Sequence, residues 1–391
     1  MKKRVHYQTL AALLLATGGL FTACHKGNFN PQDLRNFDQV VLVANKASYG
    51  PMLVDTTLQN AWGLTWAPQG IAWVNANGTG LSELYTGQGA IVRPPVHIPS
   101  PTDSVGGAPS GDVFVGGAGF VLADGAGANF MFVGEDGILS GWNGADGNNA
   151  QRVRDLSATA VYKGVTMDST GGHHYLYAAN FMTGNIDVFD QSFHLVSMPF
   201  HDPGLPAGYA PFNIVPVGDW LFVNYAEQTP GSIDEMHGHG LGFTDVYTPD
   251  GIFVRRFASR GTLNAPWAIA WAPAGWLSAA DMDSTGADMD NSGEKQTSAT
   301  SDKGDHGDRD HDISTPVVLI GNFGDGRINV FAPDGHFLGQ LQSHKKVISI
   351  DGLWALTFPP ATATSIDPRR LYFTAGPNDE ADGEFGYLIK E

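Results

Sequence analysis

The chain has 391 residues, of which 42% are hydrophobic and 16% charged, so it can form a large buried core and does not have the composition of a disordered chain. Asp and Glu number 40 against 22 Lys and Arg, which gives a formal net charge of −18. Because nucleic-acid binding depends on basic side chains, this balance argues against a nucleic-acid partner and against direct adsorption to anionic lipid.

The N-terminus predicts an export signal. A basic run at residues 2–4 precedes an apolar stretch at residues 10–20 that is too short to span a bilayer, so residues 1–23 are interpreted as a signal peptide. The only cysteine, Cys24, ends the run LFTAC, which resembles a bacterial lipobox. We expect Cys24 to be lipidated and residues 24–36 to be a polar tether. The alternative is an ordinary cleaved signal followed by an incidental cysteine.

A short phrase recurs along the rest of the chain. It reads NAWGLTWAP at residues 60–68, NAPWAIAWAP at 264–273 and DGLWALTFP at 351–359, with weaker copies at 162–168 and 210–217. Recurrence of this kind predicts a repeat architecture. The intervening apolar runs are bounded by Gly, Pro, Asn and Asp, which is typical of short strands joined by tight turns.

Aligned on this phrase, the strands group into six predicted blades. In chain order their expected strands are residues 62–68, 71–75, 81–85 and 91–98; 112–122, 129–134, 138–142 and 152–156; 164–168, 175–180, 185–189 and 194–199; 212–217, 220–225, 242–247 and 252–258; 267–272, 317–322, 327–331 and 337–342; and 353–358, 369–375 and 385–389. The last blade is one strand short, and residues 37–44 form an unassigned strand at the opposite end.

We therefore predict that this N-terminal strand completes the last blade and closes the ring, since closure removes an open sheet edge. The expected fold is all-β: a six-bladed β-propeller of four-stranded antiparallel blades that spans residues 37–391 as a single domain. Residues 284–315 are rich in Asp, Ser and Gly and lack apolar periodicity, so they are predicted to be a disordered acidic insert within blade five. A seven-bladed ring is the alternative if that insert contributes strands.

Several longer motifs carry a resemblance to a known group of proteins. The phrases APFNIVPVG, LNAPWAIAWAP, LIGNFGDGRINVF and LYFTAGPNDEADGEFGYL closely resemble a family of uncharacterised exported bacterial proteins. GNFGDGRINVF is similar to the core of an NHL repeat, and the whole is similar to the TolB-like group of six-bladed propellers. The resemblance implies the fold and export, and it supplies no catalytic residues.

The predicted binding site lies at one end of the propeller channel. Loops that lead into first strands and loops that join second to third strands emerge on the same face, and here they are both polar and aromatic. Such a concave face is the expected place for a ligand. The candidate ligand-binding residues are Asn60, Trp62, Lys163, Asn180, Asn213, Asn264, Trp267, Asn322, Asp351, Trp354, Asp379 and Glu380. The alternative for each is a structural role, because Asn and Asp often bond to neighbouring backbone groups and Trp often packs between blades.

A metal site is a further hypothesis. Hard cations such as Ca²⁺ prefer several oxygen ligands. Glu135, Asn180, Asn322 and Asp351 come from four blades and would supply such oxygens to Ca²⁺ or another divalent cation.

The function predicted from these features is that of an exported, lipid-anchored binding or scaffold module of the bacterial cell envelope, periplasmic or at the cell surface. Its expected partners are a glycan, peptide or protein, with membrane contact only through the lipid. The alternative is a metal-dependent hydrolase or lyase of the lactonase type with its site in the channel. No Ser–His–Asp arrangement, P-loop or dinucleotide fingerprint is evident in the sequence.

Overall fold

The computed structural model describes residues 29–278 and 316–391. The predicted signal peptide, Cys24 and the predicted insert lie outside the described residues. Short 3₁₀-helices occur at Pro31–Leu34, Ala47–Tyr49, Asn77–Thr79, Gly144–Asp146 and Trp276–Ser278. No helix in the described ranges is both long enough and apolar enough to cross a membrane.

The described residues form a six-bladed β-propeller, as the sequence predicts. Two N-terminal strands come first: β1 (Phe37–Ala44) and β2 (Leu53–Val54). Blade one contains β3 (Ala61–Trp66), β4 (Ile71–Ala76), β5 (Leu81–Thr86) and β6 (Val96–His97). Blade two contains β7 (Pro109–Phe114), β8 (Phe130–Gly134), β9 (Ile138–Trp142) and β10 (Gln151–Asp155). Blade three contains β11 (Tyr162–Thr170), β12 (His173–Asn180), β13 (Asn185–Phe189) and β14 (Leu195–Val196).

The second half of the ring follows the same plan. Blade four contains β15 (Tyr209–Val217), β16 (Trp220–Glu227), β17 (Phe243–Tyr247) and β18 (Phe253–Ser259). Blade five contains β19 (Pro266–Ala272), β20 (Val317–Asn322), β21 (Ile328–Phe331) and β22 (Phe337–Gln340), and a small hairpin of β23 (Gln342–Ser343) and β24 (Lys346–Val347) follows it. Blade six contains β25 (Leu353–Thr357), β26 (Leu371–Ala375) and β27 (Glu384–Lys390).

The N-terminal strand closes the ring. Strand β1 pairs antiparallel with β27, in a register that sets Val40 opposite Tyr387, and the strand order of this sheet is β2-β1-β27-β26-β25. The short β2 adds a fifth, parallel strand at the outer edge. Next to the closure, the buried carboxylate of Asp382 accepts hydrogen bonds from Asn45 at 2.9 Å and Tyr49 at 2.7 Å. The two ends of the chain are thus held by backbone pairing and by side chains.

The strands differ from the predicted bounds most in blade two. Strand β7 ends at Phe114, whereas the apolar pattern predicts a strand as far as residue 122. Gly117 and Gly119 have φ angles of 86° and 84°, and this left-handed conformation does not fit a continuous strand. Leu34, inside the segment predicted as a tether, is buried against the blade-five core.

The first strand of every blade carries a bulge near its start. The register shifts lie between Ala61 and Leu64, Pro109 and Gly111, Tyr162 and Gly164, Pro211 and Asn213, Pro266 and Ala268, and Leu353 and Leu356. A bulge bends its strand and changes the direction of a side chain. The residues within the shifts include Trp62, Ser110, Lys163, Phe212, Trp267 and Trp354. Five of these six side chains, all except Ser110, contact one another within the channel.

Candidate functional site

Aromatic side chains close the channel near the bulges. The rings of Trp62 and Trp354 stack with centroids 3.6 Å apart, and Phe323 stacks on Trp354 at 3.8 Å. Phe212 and Trp267 lie 5.9 and 6.0 Å from Trp354. Blade four and blade six are not neighbours, so the contact of Phe212 with Trp354 places these rings at the propeller axis. Together with Phe181, which packs on Phe212, these buried side chains form what we call the aromatic floor.

The ammonium group of Lys163 lies over the aromatic floor. Its Nζ is 5.3 Å from the ring centroid of Trp62 and 5.6 Å from that of Phe181, distances typical of cation–π contacts. The side chain is only 2% exposed, and its Nζ is 2.6 Å from Glu135 Oε1 and 3.9 Å from Glu235 Oε2. Burial opposes the charge, but the two carboxylates outweigh it and raise the pKa of Lys163. The lysine is therefore a fixed cation, and a protonated amine is not a nucleophile.

A third carboxylate, Glu380, lies beside this ion pair. It accepts a hydrogen bond from Asn60 Nδ2 at 2.6 Å, while Asn60 Oδ1 accepts one from the Trp354 indole at 2.8 Å. Burial, followed by the negative charges of Glu135 and Glu235, raises the pKa of Glu380 to about 7. Asn60 thus connects the aromatic floor to the carboxylates above it.

Two further polar side chains complete the group that we call the mouth cluster: Lys163, Glu135, Glu235, Glu380, Asn60, Asn77 and His237. Asn77 Nδ2 donates to Glu135 Oε2 at 3.1 Å. His237 Nε2 lies 3.3 Å from Glu235 Oε1, and this hydrogen bond raises the pKa of His237 against the opposing effect of burial. About half of the His237 side chain is exposed, so it marks the solvent side of the cluster.

The mouth cluster has more acidic than basic groups. With all groups ionised, its three carboxylates face one ammonium, and the protonated histidine adds a second positive charge at the rim. An incoming positive charge would relieve the repulsion between the carboxylates, so the electrostatics of the cluster favour a cation over an anion.

The structure brings together about half of the residues that the sequence predicts for ligand binding. Asn60, Trp62, Lys163, Trp267, Trp354 and Glu380 belong to the aromatic floor or the mouth cluster. Asp351 and Asp379 are exposed, and Asp351 accepts a hydrogen bond from the backbone of Asn378 at 3.0 Å.

The four remaining asparagines bond mainly to nearby backbone groups. Asn180 Oδ1 accepts from Val161 N at 3.3 Å, and Asn322 Oδ1 accepts from Asn264 N at 3.2 Å. Asn264 Oδ1 in turn accepts from Gly238 N, and Asn213 Nδ2 donates to Trp267 O. These contacts shape the loops and strand starts that carry the mouth cluster. That these asparagines contact a ligand directly stays a prediction.

The side chains predicted as metal ligands have different surroundings. Glu135 pairs with Lys163, and Asp351 is exposed. Asn180 donates a hydrogen bond to Asp187 in β13, and Asn322 donates one to Asp325 in the following turn. Within residues 29–278 and 316–391, no group of three or more His, Cys, Asp or Glu is placed to hold a metal ion. That a divalent cation binds these four residues stays a prediction.

Sequence reasoning missed Glu235 and three phenylalanines of the floor, Phe181, Phe212 and Phe323. Glu235 lies in the loop between the second and third strands of blade four, which is the same class of loop that supplies Glu135 and Glu380. The rule that selected those two residues would therefore have found it. Phe212 occupies the position of the repeated tryptophan in the weaker copy of the phrase, which is the signal for its place in the floor.

Comparison with known proteins finds relatives in a virus. The chain is 32% identical over 242 residues to the uncharacterized protein L690 of Acanthamoeba polyphaga mimivirus, covering 59% of this chain and 52% of that protein. It is 34% identical over 224 residues to the uncharacterized protein R648 of the same virus, covering 55% and 46%. The chain thus spans about half the length of these curated relatives. No protein-family model matches it.

Solved structures with a related shape include two lyases and a lactonase. A streptogramin B lyase superposes with a TM-score of 0.47 at 11% identity, over 91% of this chain and 98% of that chain. The virginiamycin B lyase of Staphylococcus aureus gives 0.46 at 11%, over 91% and 99%. A gluconolactonase of Xanthomonas campestris gives 0.36 at 15%, over 85% and 97%. These likenesses carry no argument about the chemistry of this chain.

Proposed function

We propose that this protein is an exported, lipid-anchored binding module whose mouth cluster binds a positively charged ligand. The observation that carries the proposal is the charge imbalance of the site, in which Glu135, Glu235 and Glu380 surround the single buried ammonium of Lys163. The ligand class that suits this imbalance is a basic segment of a cell-envelope or extracellular peptide or protein.

The partial burial of the carboxylates strengthens this argument. Charges in a partly desolvated site interact more strongly than charges in open water. A cationic ligand near Glu380 would lower the pKa of that side chain from about 7, so binding would favour its ionised form. Ligand affinity and the charge of the site are therefore coupled, and affinity should rise as pH increases through 7.

Exposed methionines beside the cluster support a peptide as the ligand. Met182 follows Phe181 and is 46% exposed, and Met236 lies between Glu235 and His237 and is 38% exposed. Both lie in loops that join second and third strands on the mouth face. Methionine is unbranched and adapts to different partners, so it suits the rim of a peptide-binding surface.

The test uses capped tetralysine as a probe, with calorimetric titration of the full chain at low and at physiological salt. We expect binding at about 20 mM salt that weakens at about 150 mM, because screening reduces the attraction. Glu380→Gln should lower the affinity about fivefold or more, equivalent to a loss of about 1 kcal/mol.

Asp219→Asn is the matched control. Asp219 is exposed on the turn between β15 and β16, at the face opposite the mouth, and its replacement removes the same formal charge. This variant should bind tetralysine like the unmodified protein. Equal weakening in both variants would show that only the overall charge attracts the probe, and stronger binding of capped tetraglutamate would contradict the proposal outright.

A further inference from the structure

A groove lies between blades four and five, at the face of the ring opposite the mouth. Its volume is about 480 Å³, and it is lined by all four strands of blade four, by the first strand of blade five and by the turn between β21 and β22. Pockets for small molecules have volumes of about 300–1,000 Å³. The lining side chains include Trp220, Phe222, Val254, Arg255, Trp271 and Pro333.

The two tryptophans of this groove differ from all the others in the chain. Seven of the nine tryptophans are buried, with exposed fractions from 0% to 7%. The remaining two, Trp220 and Trp271, are each 41% exposed, and both line the groove. Val254, which also lines it, is 40% exposed. Exposed apolar side chains gathered in one place mark a surface for interaction.

The fold explains why an indole from each blade borders the same space. Trp271 lies two residues after Ile269 in β19, so the two side chains point to the same face of the strand. Ile269 packs in a core formed by residues of both blades. Trp220 begins β16 and pairs with Val217, another member of that core. The groove is therefore the solvent end of the apolar interface between the two blades.

Arg255 supplies a positive charge to the wall of the groove. Its two terminal nitrogens donate to the backbone carbonyls of Asp334 at 3.0 Å and Pro333 at 2.8 Å, which fixes the guanidinium against blade five. The next residue, Arg256, forms ion pairs with two carboxylates. Arg255 has no such partner among the described residues, although burial disfavours its charge and lowers its pKa. A guanidinium with N–H groups to spare is well shaped to bind a carboxylate.

The acidic group that lines the groove acts elsewhere. Asp219 is the only acidic residue among the described residues that line it. Burial raises the pKa of Asp168 in blade three, and the charge of Asp219 adds to that effect. The acidic residue that influences Arg255 is instead Asp334, on the side of blade five. Asp219 therefore does not neutralise Arg255, and the guanidinium can attract an anion.

We propose that this groove binds an amphipathic carboxylate, with its apolar body against Trp220 and Trp271 and its carboxylate hydrogen-bonded to Arg255. The apolar body would cover the two exposed indoles, and the anion would provide the partner that the guanidinium lacks. The groove shares no residue with the mouth cluster and lies at the other face of the ring. It therefore adds a second binding site with the opposite charge preference, and it does not depend on the function proposed for the mouth.

The test is calorimetric titration of the full chain with three compounds that share one ring system: naphthoate, naphthalenemethanol and naphthylmethylammonium. We expect saturable binding of naphthoate, about tenfold weaker binding of the neutral alcohol and still weaker binding of the ammonium compound. The net charge of −18 acts in the opposite sense, since it repels naphthoate and attracts the ammonium compound. A preference for naphthoate must therefore come from the groove. Decanoate in place of naphthoate shows whether an aliphatic body binds as well as a planar one.

Substitutions locate the binding. Arg255→Met should weaken naphthoate binding about tenfold and change alcohol binding little, because only the carboxylate uses the guanidinium. Trp271→Ala should weaken the binding of both compounds. The matched control is Arg327→Met, which removes the same formal charge from a half-exposed side chain at the mouth face. It should bind naphthoate like the unmodified protein.

A charge placed in the groove keeps the test decisive if Arg255→Met does not fold. Val254 is exposed, so Val254→Glu should be tolerated, and its carboxylate should reverse the preference between naphthoate and the ammonium compound. No saturable binding of naphthoate, or equal affinities for the three compounds, would overturn the proposal. Unchanged naphthoate binding in Arg255→Met or Val254→Glu would do the same.

Discussion

At the scale of single residues, Lys163 is the most constrained side chain of the mouth cluster. Its ammonium is buried, and it is held by two carboxylates and two aromatic rings. Its backbone carbonyl also accepts a hydrogen bond from the Trp267 indole at 2.8 Å. One lysine therefore joins the aromatic floor to the acidic rim.

Replacement of this lysine should be costly. Lys163→Met would leave Glu135 and Glu235 without their cation, and breaking a buried ion pair in this way costs about 3–5 kcal/mol. Urea denaturation measures the loss. The control is Arg327→Met, because the side chains of Arg327 and its partner Asp325 are 48% and 27% exposed. Exposed pairs contribute at most about 1 kcal/mol. Equal losses in the two variants would contradict the account of Lys163.

Glu83 gives a pH-dependent prediction away from the site. This residue of β5 is 2% exposed and accepts a hydrogen bond from Thr57 at 2.8 Å. Burial raises its pKa from 4.5 to about 7, against the effect of that hydrogen bond. The folded protein thus holds this proton more tightly than the unfolded chain does. The stabilising contribution is complete below pH 4.5 and is lost as pH rises through 7.

Glu83→Gln should remove the loss of stability that the ionisation of Glu83 causes as pH rises. Between about pH 4 and pH 8, the free energy of unfolding of the variant relative to the unmodified protein should rise by about 3 kcal/mol. Urea denaturation across that range gives the comparison, and Asp219→Asn serves as an exposed control. Parallel pH profiles for Glu83→Gln and the unmodified protein would show that Glu83 titrates normally.

Among the structural elements, the first strand of every blade has the same bulge but a different residue in it. The repeated fold can therefore build a site whose side chains differ from blade to blade. The bulge occurs in all six blades, but the residue in it changes from Trp62 to Ser110, Lys163, Phe212, Trp267 and Trp354. The backbone irregularity fixes the position of the side chain, and the sequence at that position fixes whether it is aromatic, cationic or small.

Ring closure depends on the register in which β1 pairs with β27, and this register can be tested. In a background without Cys24, the pair Val40→Cys and Tyr387→Cys should form a disulfide on oxidation, since these residues are opposite each other on β1 and β27. The closed loop spans most of the chain, so the oxidised form should be more stable than the reduced form by about 5 kcal/mol.

A shifted pair provides the control for that register. Leu388 follows Tyr387 and faces the opposite side of the sheet, because side chains alternate along a strand. Val40→Cys with Leu388→Cys should therefore remain reduced under the same conditions. Efficient crosslinking of the shifted pair, or none in the first pair, would contradict the closure.

At the scale of the whole molecule, the sequence predicts the ring well and the site only in part. The repeated phrase and the turn residues are local signals, so they place most strands and the tryptophans of the floor. Glu235 lies in the same class of loop as Glu135 and Glu380, but this loop spans residues 228–242, so which of its side chains reaches the mouth depends on tertiary contacts. Asn180 and Asn322 were selected for polarity, but asparagine beside a turn often bonds to nearby backbone groups, and both do so here.

The predicted lipid anchor also concerns the whole molecule. Cys24→Ser should prevent incorporation of labelled palmitate when the chain is expressed in a bacterial host, and it should shift the protein from the membrane to the soluble fraction. A serine variant that remains in the membrane fraction to the same extent as the unmodified protein would contradict anchoring through this cysteine.

The excess of negative charge at the mouth can be measured through the titration of Glu380. Carbon-13 NMR of glutamate carboxyl groups, assigned with Glu380→Gln, should show Glu380 titrating near pH 7. Addition of tetralysine should lower that midpoint. A midpoint near the ordinary value of 4.5 that does not respond to the probe would contradict both the electrostatics of the cluster and its proposed ligand.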